Sequence, residues 1–132
     1  MHLKIDTGME RLGQHYYTAE HLLNAALNTK HCDIVGVFSH LACAEDSDRT
    51  FTRLQVERFE QCLSFFEKHS LAMPVRHLAN SGGILRYPET HFDLVRPGLI
   101  LYGVTPIDQN ATAINLKATL RLRSEVVYFK VV

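Results

Sequence analysis

An α/β fold built on parallel strands is what this sequence predicts, and three observations lead there. Short apolar runs bounded by polar residues recur at positions 2–6, 33–38 and 75–78. Between them lie stretches whose apolar residues repeat with helical spacing. Strand and helix periods that alternate in this order describe βα units, each helix carrying the chain back across a parallel sheet.

The first run, HLKID, is short, apolar-rich and followed by the turn residues Thr7-Gly8, which suits a strand that aims a side chain into a site at its C-terminal end. Ala19, Leu22, Leu23, Ala26 and Leu27 then fall at i, i+3, i+4, i+7 and i+8, the stripe of a helix packed on one face, with Thr18 as its cap. The run DIVGVF at 33–38 is too short for a helix and reads as a strand buried on both faces, with Ser39-His40 as its polar end. After an acidic, solvated loop containing Glu45, Asp46 and Asp48, Phe59, Cys62, Leu63 and Phe66 restore the helical spacing. Glu57, Arg58, Glu60, Glu67 and Lys68 occupy the other faces of that helix.

Pro74 punctuates the chain before a third strand at 75–78, and Asn80-Ser81-Gly82-Gly83 leads into a short helical turn at Ile84-Leu85. A fourth strand is expected at 92–95, ending at Arg96-Pro97-Gly98, with 99–102 continuing apolar. Four βα units amount to about half of an eightfold barrel, which typically needs roughly 250 residues. Residues 107–117 read as a polar linker, and Leu120, Leu122, Val126, Tyr128 and Val131 read as an extended β-forming segment. The aromatic set Tyr16, Tyr17, Phe51, Phe59 and Phe66 is expected to pack in the core.

The totals agree with one globular domain. At 132 residues, 46% hydrophobic and with zero formal net charge, the chain lacks the composition of a disordered, nucleic-acid-binding or membrane-surface protein. No run approaches the roughly 18 apolar residues of a membrane span, and the N-terminus lacks a basic segment followed by an apolar one. Cys32, Cys43 and Cys62 are odd in number and show no C-x-x-C pairing, as expected of a reducing, cytoplasmic setting, and Cys62 reads as core. The eight histidines form no metal-ligand spacing and are expected to be mostly exposed.

The polar residues that need explaining collect at the C-terminal ends of the strands: Lys4 with Arg11, His40, Asn80-Ser81, and Arg96 with Gly98. In a βα barrel this rim carries the site. Ser81-Gly82-Gly83 and Gly98-Leu99 offer backbone N–H groups and a hydroxyl without side-chain obstruction, which suits a phosphate. Taken singly, each has a plainer reading. Lys4 can snorkel to solvent, His40 can be a satisfied core histidine, the Ser-Gly-Gly run can be a turn, and Arg96 can form a surface ion pair.

Four blocks in this order, LKIDTGMERLG, VGVFSHLACAED, HLANSGGILRYPETHFD and LVRPGLILYGVTP, resemble the second half of the barrel domain of alanine racemases, a pyridoxal-phosphate family. The resemblance implies the second half of a (β/α)8 TIM-type barrel over residues 1–106, a linker at 107–117, and the start of a C-terminal β domain at 118–132. It also implies a cytoplasmic homodimer that interconverts L- and D-alanine for cell-wall precursors, with no nucleic-acid or membrane partner. By the same resemblance Arg96 faces the pyridine nitrogen of pyridoxal 5'-phosphate, and His40 hydrogen-bonds and orients Arg96. Ser81 with the backbone of Gly98 and Leu99 cradles the phosphate, and Asn80 is its neighbour. Arg11 reaches the substrate carboxylate, and Lys4 is the lysine that many members carbamylate, turning a cation into an anion that can orient Arg11. Lys4 inside an apolar strand is thereby accounted for, since a buried ammonium beside a guanidinium suffers desolvation and repulsion.

The family also uses a lysine that links covalently to the cofactor and a tyrosine base contributed by the partner subunit. No block here matches either. Lys30 and Lys68 lie at helix ends, and Tyr102 belongs to the last barrel block. The expectation is therefore a portion of a racemase that is inactive alone. Two further readings stay open: a racemase of the same fold for another amino acid, and a noncatalytic half-barrel that binds phosphate ligands or assembles with another half.

Overall fold

The structure is a computed structural model that describes residues 1–108 and 114–131. Its sheet comprises β1 (His2–Asp6), β2 (Gln14–His15), β3 (Gly36–Phe38) and β4 (Val75–His77), in the order β2-β1-β3-β4 with every pair parallel. The helices are α1 (Ala19–Leu27), α2 (Thr50–Lys68) and α3 (Ser81–Arg86). Single 3-10 turns cover Tyr16–Thr18, Pro88–Thr90 and Leu99–Tyr102. The parallel α/β reading holds.

The register explains which residues go where. His2, Gly36 and Val75 share one row across the sheet and Lys4, Phe38 and His77 another. Alternate residues face opposite sides, so Leu3, Ile5 and Val37 turn together toward the helices and are buried. Against them pack Leu23 and Ala26 of α1 and Phe59, Leu63 and Phe66 of α2, and Cys62 joins this core. Phe59 is fully buried; burial of such a side chain is worth about 1.5–3 kcal/mol relative to exposure. Lys4, Phe38 and His77 are left on the opposite face, at the C-terminal ends of their strands.

Several expectations need correction. No strand forms at 92–95. That segment instead runs beside β4, with Asp93 N donating to Arg76 O at 3.1 Å and Arg96 N to Ala79 O at 3.0 Å. Phe92 has a φ of 46° and Pro97 has no N–H, so a regular ladder cannot extend through it. The two-residue β2 was not anticipated; Gly8 and Gly13, at φ of 131° and 113°, let the chain turn back beside β1 within a few residues. At Gly13 a Cβ would sit 2.9 Å from Lys4 O, so the turn needs glycine for space as well.

Thr18 occupies the N-cap position of α1 but makes no cap bond; its hydroxyl donates to His15 O at 3.2 Å. Helix α2 starts at Thr50, where Asp48 Oδ1 in the acidic loop accepts Thr50 N at 2.8 Å. Of the aromatic set, Tyr17 and Phe51 are exposed, while Tyr16 is partly buried and Phe59 and Phe66 are core. Residues 118–131 form no strand, and their side chains are exposed, because no neighbouring strand there offers a ladder. Of the 107–117 linker, residues 109–113 lie outside the described residues.

Candidate functional site

The rim is held together from behind by one buried amide. Gln55 of α2, fully buried, donates through Nε2 to Thr7 Oγ1 at 3.2 Å and to His40 O at 3.1 Å, and its Oε1 accepts Ala42 N at 2.9 Å. Thr7 Oγ1 in turn pairs with Ser39 Oγ at 2.8 Å. The end of β1 and the end of β3 are thus tied both by the Gln55 amide and by the Thr7–Ser39 pair. Asp6 closes the turn after β1, its Oδ1 accepting the N–H groups of Gly8, Met9 and Glu10 at 2.9, 2.9 and 3.2 Å. Burial alone would raise the Asp6 pKa, but these backbone donors more than offset it and the net shift is downward.

A cleft of about 250 Å³ opens at this rim, and His40, Asn80, Ser81, Arg96, Gly98 and Leu99 line it. Six of the eight residues singled out from sequence therefore converge. Asn80 caps α3 by accepting Gly83 N at 3.0 Å and ties it to the β3 loop by donating to Leu41 O at 3.1 Å. Ser81 Oγ accepts Gly98 N at 2.9 Å and Ile100 N at 3.4 Å. A Cβ placed on Gly98 would meet only Ser81 Oγ, at 3.7 Å, so the backbone here is approachable from the cleft.

Arg96 is the most engaged side chain. Nη2 donates to Ser39 O at 2.6 Å and to Leu78 O at 3.3 Å, and Nη1 donates to His77 Nδ1 at 2.6 Å. Nε alone has no acceptor among the described residues. Burial lowers the Arg96 pKa, yet a guanidinium still keeps its proton at neutral pH. The partner of Arg96 is thus His77 and not His40, which corrects the expectation from sequence. His77 lies on the same face as Phe38, in the next strand, where its ring stacks on Phe38 with centroids 4.8 Å apart. Its signal in the sequence was the period-two position within the strand, two residues after Val75.

His40 contributes a ring to the cleft wall. Burial and then the charges of Arg96, Arg11 and Lys4 push its pKa down to about 4, so the ring is neutral at neutral pH. Lys4 and Arg11 stand on the same rim but outside the cleft lining. Burial, followed by the charge of Arg11, lowers the Lys4 pKa, while Asp6 works in the opposite direction. Arg11 is exposed, and neither its guanidinium nor the Lys4 amine has a protein acceptor among the described residues.

The donor set fits a pyridoxal phosphate. A hydroxyl and the unobstructed backbone at Gly98 and Leu99 sit at one side of the cleft for the phosphate, and a guanidinium whose Nε–H is uncommitted sits at the other for a ring nitrogen. Among the described residues no group of three or more His, Cys, Asp and Glu could hold a metal ion.

Residues 1–106 match the family model described as "Alanine racemase, N-terminal domain". The alanine racemase of Carboxydothermus hydrogenoformans is 42% identical over 126 residues, covering 95% of this chain and 34% of that protein. The enzyme of Thermobifida fusca is 44% identical over 110 residues, covering 81% of this chain and 29% of that protein. The chain thus spans about a third of the length of the relatives it matches. Among solved structures, alanine racemase from Streptomyces lavendulae, a D-cycloserine producer, superposes with a TM-score of 0.75 at 41% identity over 83% of this chain and 29% of that one. The Bacillus anthracis enzyme with bound L-Ala-P gives 0.79 at 25% identity over 89% of this chain and 31% of that one. By the match to its family model and by the fold it shares with these enzymes, this chain belongs to the alanine racemase family.

Proposed function

We propose that these residues hold the cofactor in a pyridoxal-phosphate-dependent racemase that interconverts L- and D-alanine, supplying D-alanine for cell-wall precursors in the cytoplasm. The observation that carries this reading is the pairing, across one cleft, of the Ser81–Gly98 phosphate seat with the uncommitted Nε of Arg96. The family match and the chemistry of the donor set support it. Residues 1–106 are then the second half of a (β/α)8 barrel, 107–117 a linker and 118–132 the entry to a β domain, within a homodimer.

Bound pyridoxal phosphate supplies an electron-withdrawing ring that makes the substrate's α-proton easier to remove. The residues here set the terms of that chemistry. Ser81 Oγ, which accepts Gly98 N and can turn its own proton outward, and the Leu99 N–H hold the phosphate end, with Gly98 leaving the approach unobstructed. Arg96, which can donate but not accept, leaves a facing ring nitrogen without a proton and so restrains electron withdrawal into the ring, favouring racemisation over transamination. His40, neutral and half-buried, walls the cleft against water.

Arg11, exposed and free of protein acceptors, offers its fork of N–H donors to the substrate carboxylate. Lys4, whose lowered pKa raises the share of free amine, adds through its nitrogen lone pair to the carbon of carbon dioxide; the N–C bond forms as one C=O π pair moves onto oxygen, and the nitrogen's extra proton passes to solvent. The product is a carbamate anion able to orient Arg11. The covalent lysine and the tyrosine base come from outside these residues, and residues 1–132 alone are not expected to racemise alanine.

Titration of the intact protein with pyridoxal 5'-phosphate, followed by absorbance, tests the reading. Binding should be competed by inorganic phosphate and weakened about tenfold or more in Ser81→Ala and Arg96→Met, the loss of one charge-assisted hydrogen bond. Borohydride trapping and peptide mapping should place any covalent link outside residues 1–132. Unchanged affinity in both variants, or capture of cofactor on Lys30 or Lys68, would overturn it. Phosphate binding without any preference for the pyridoxal ring would favour the noncatalytic half-barrel instead.

A further inference from the structure

His2, at the start of β1, has no part in the cleft, and yet it is joined to it. Its Nδ1 lies 2.8 Å from Nε2 of His77, whose Nδ1 receives the Arg96 Nη1 donor at 2.6 Å. The geometry points to His2 as a positioning residue that fixes the Arg96 guanidinium through His77, across the one strand that separates them. This assignment rests on Arg96 facing the cofactor ring as proposed above.

The direction of every proton in this chain follows from Arg96. A guanidinium has no acceptor, so His77 Nδ1 must present its lone pair. The His77 ring is neutral at neutral pH, because burial, then Arg96, then His2 push its pKa down to about 4. Its single proton is therefore on Nε2 and is donated to His2. His2 Nδ1 must then be a lone pair as well, and the His2 proton sits on Nε2. Two histidine tautomers are set by one arginine.

β1 and β4 are not neighbours; β3 lies between them. His2 stands opposite Gly36, and Gly36 stands opposite Val75. A Cβ on Gly36 would fall 2.1 Å from His2 Nδ1 and 2.4 Å from His2 Cε1. The imidazole thus lies over the bare backbone of Gly36, and only glycine at that position lets it cross to His77.

The second bond matters because the first leaves His77 free to turn. Stacked on Phe38 with an interplanar angle of 7°, the ring can flip about Cβ–Cγ within the same slot, replacing Nδ1 by a carbon. A flipped ring gives Arg96 nothing to donate to. An acceptor on Nε2 makes the flip costly, since it too would then face a carbon. His2 thereby holds His77, and His77 holds Arg96.

Imidazole 15N spectra of the intact, histidine-labelled protein, recorded without cofactor, test the tautomers. His2 and His77 should both carry their proton on Nε2. In His2→Ala and in Gly36→Ala, which expels the ring without altering its chemistry, the Arg96 Nη1–H that bonds His77 should exchange with water about tenfold faster, the size expected for one hydrogen bond to a charged group. His2→Asn, whose amide oxygen can take the place of Nδ1, should restore exchange to within about twofold of the parent. Exchange unchanged in His2→Ala, or His2 found with its proton on Nδ1, would overturn the assignment even if Gly36→Ala failed to fold. A parent protein with both tautomers as stated that binds no pyridoxal phosphate would keep the relay and reject the cofactor reading. One that binds cofactor with the His2 proton on Nδ1 would do the reverse.

Discussion

Arg96 donates through Nη1 to His77 Nδ1 at 2.6 Å, whereas His40, on the same cleft wall, shares no hydrogen bond with it. The coupling between Arg96 and the two histidines should differ accordingly. A double-mutant cycle on stability with Arg96→Met and His77→Phe should give an interaction of about 1–2 kcal/mol, within the range for directly bonded residues. The same cycle with His40→Phe should stay within about 0.5 kcal/mol of additivity. Urea unfolding measures both, and equal couplings would contradict the pairing.

His40 and His77 should also make stability depend on pH. Each has a folded pKa of about 4 against an ordinary value of 6.5, so the unfolded chain binds more protons between those values. Stability should therefore fall as pH is lowered from about 6.5 to 4, with no further loss from these groups below that. Urea midpoints read across this window should show a shallower slope in His77→Phe. A flat profile in the parent would mean that the rings are protonated in the fold.

Asp93 grips Arg76 with both oxygens, at 2.9 and 3.0 Å, and also accepts Arg76 N at 2.8 Å, which holds the segment beside β4. The hydrogen bonds from Arg76 lower the Asp93 pKa to about 2. Its contribution is present above the ordinary value of 3.8 and is lost as pH falls through about 2, a window separate from that of the histidines. Both side chains are about a third exposed, so solvent screening discounts the pair, and Asp93→Asn should cost only about 0.5–1 kcal/mol at neutral pH. Denaturant titration at pH 7 and pH 2.5 should show that difference shrink.

Gln55 should matter more than any surface pair. Gln55→Leu fills the space but leaves Ala42 N and His40 O without their partner, Thr7 Oγ1 keeping only Ser39 Oγ, and a buried group so stranded costs about 1–3 kcal/mol. The expected loss is about 2–3 kcal/mol in urea unfolding. A neutral substitution would show that the β1 and β3 ends are tied by other means.

Much of this molecule can be read from local pattern. Residues 2–6, with their turn after Asp6, and the stripe from Ala19 to Leu27 announce a strand and a helix because burial on one face imposes the period directly. The same holds for the clustering of His40, Asn80, Ser81, Arg96 and Gly98, since the ends of parallel strands all arrive at one rim. The β2 bridge and the failure of residues 92–95 to form a strand depended on backbone conformation at Gly8, Gly13 and Phe92, which composition does not reveal. His77 shows only a face in the sequence, through its period-two position after Val75, and its task is hidden for a different reason. Its role comes from the register that sets His2, Gly36 and Val75 in one row and Lys4, Phe38 and His77 in the next, and from a missing side chain on Gly36. Hydrogen bonds between residues as far apart as His2 and His77 are decided by how strands are aligned side by side, and that alignment is a property of the folded sheet rather than of any stretch of sequence.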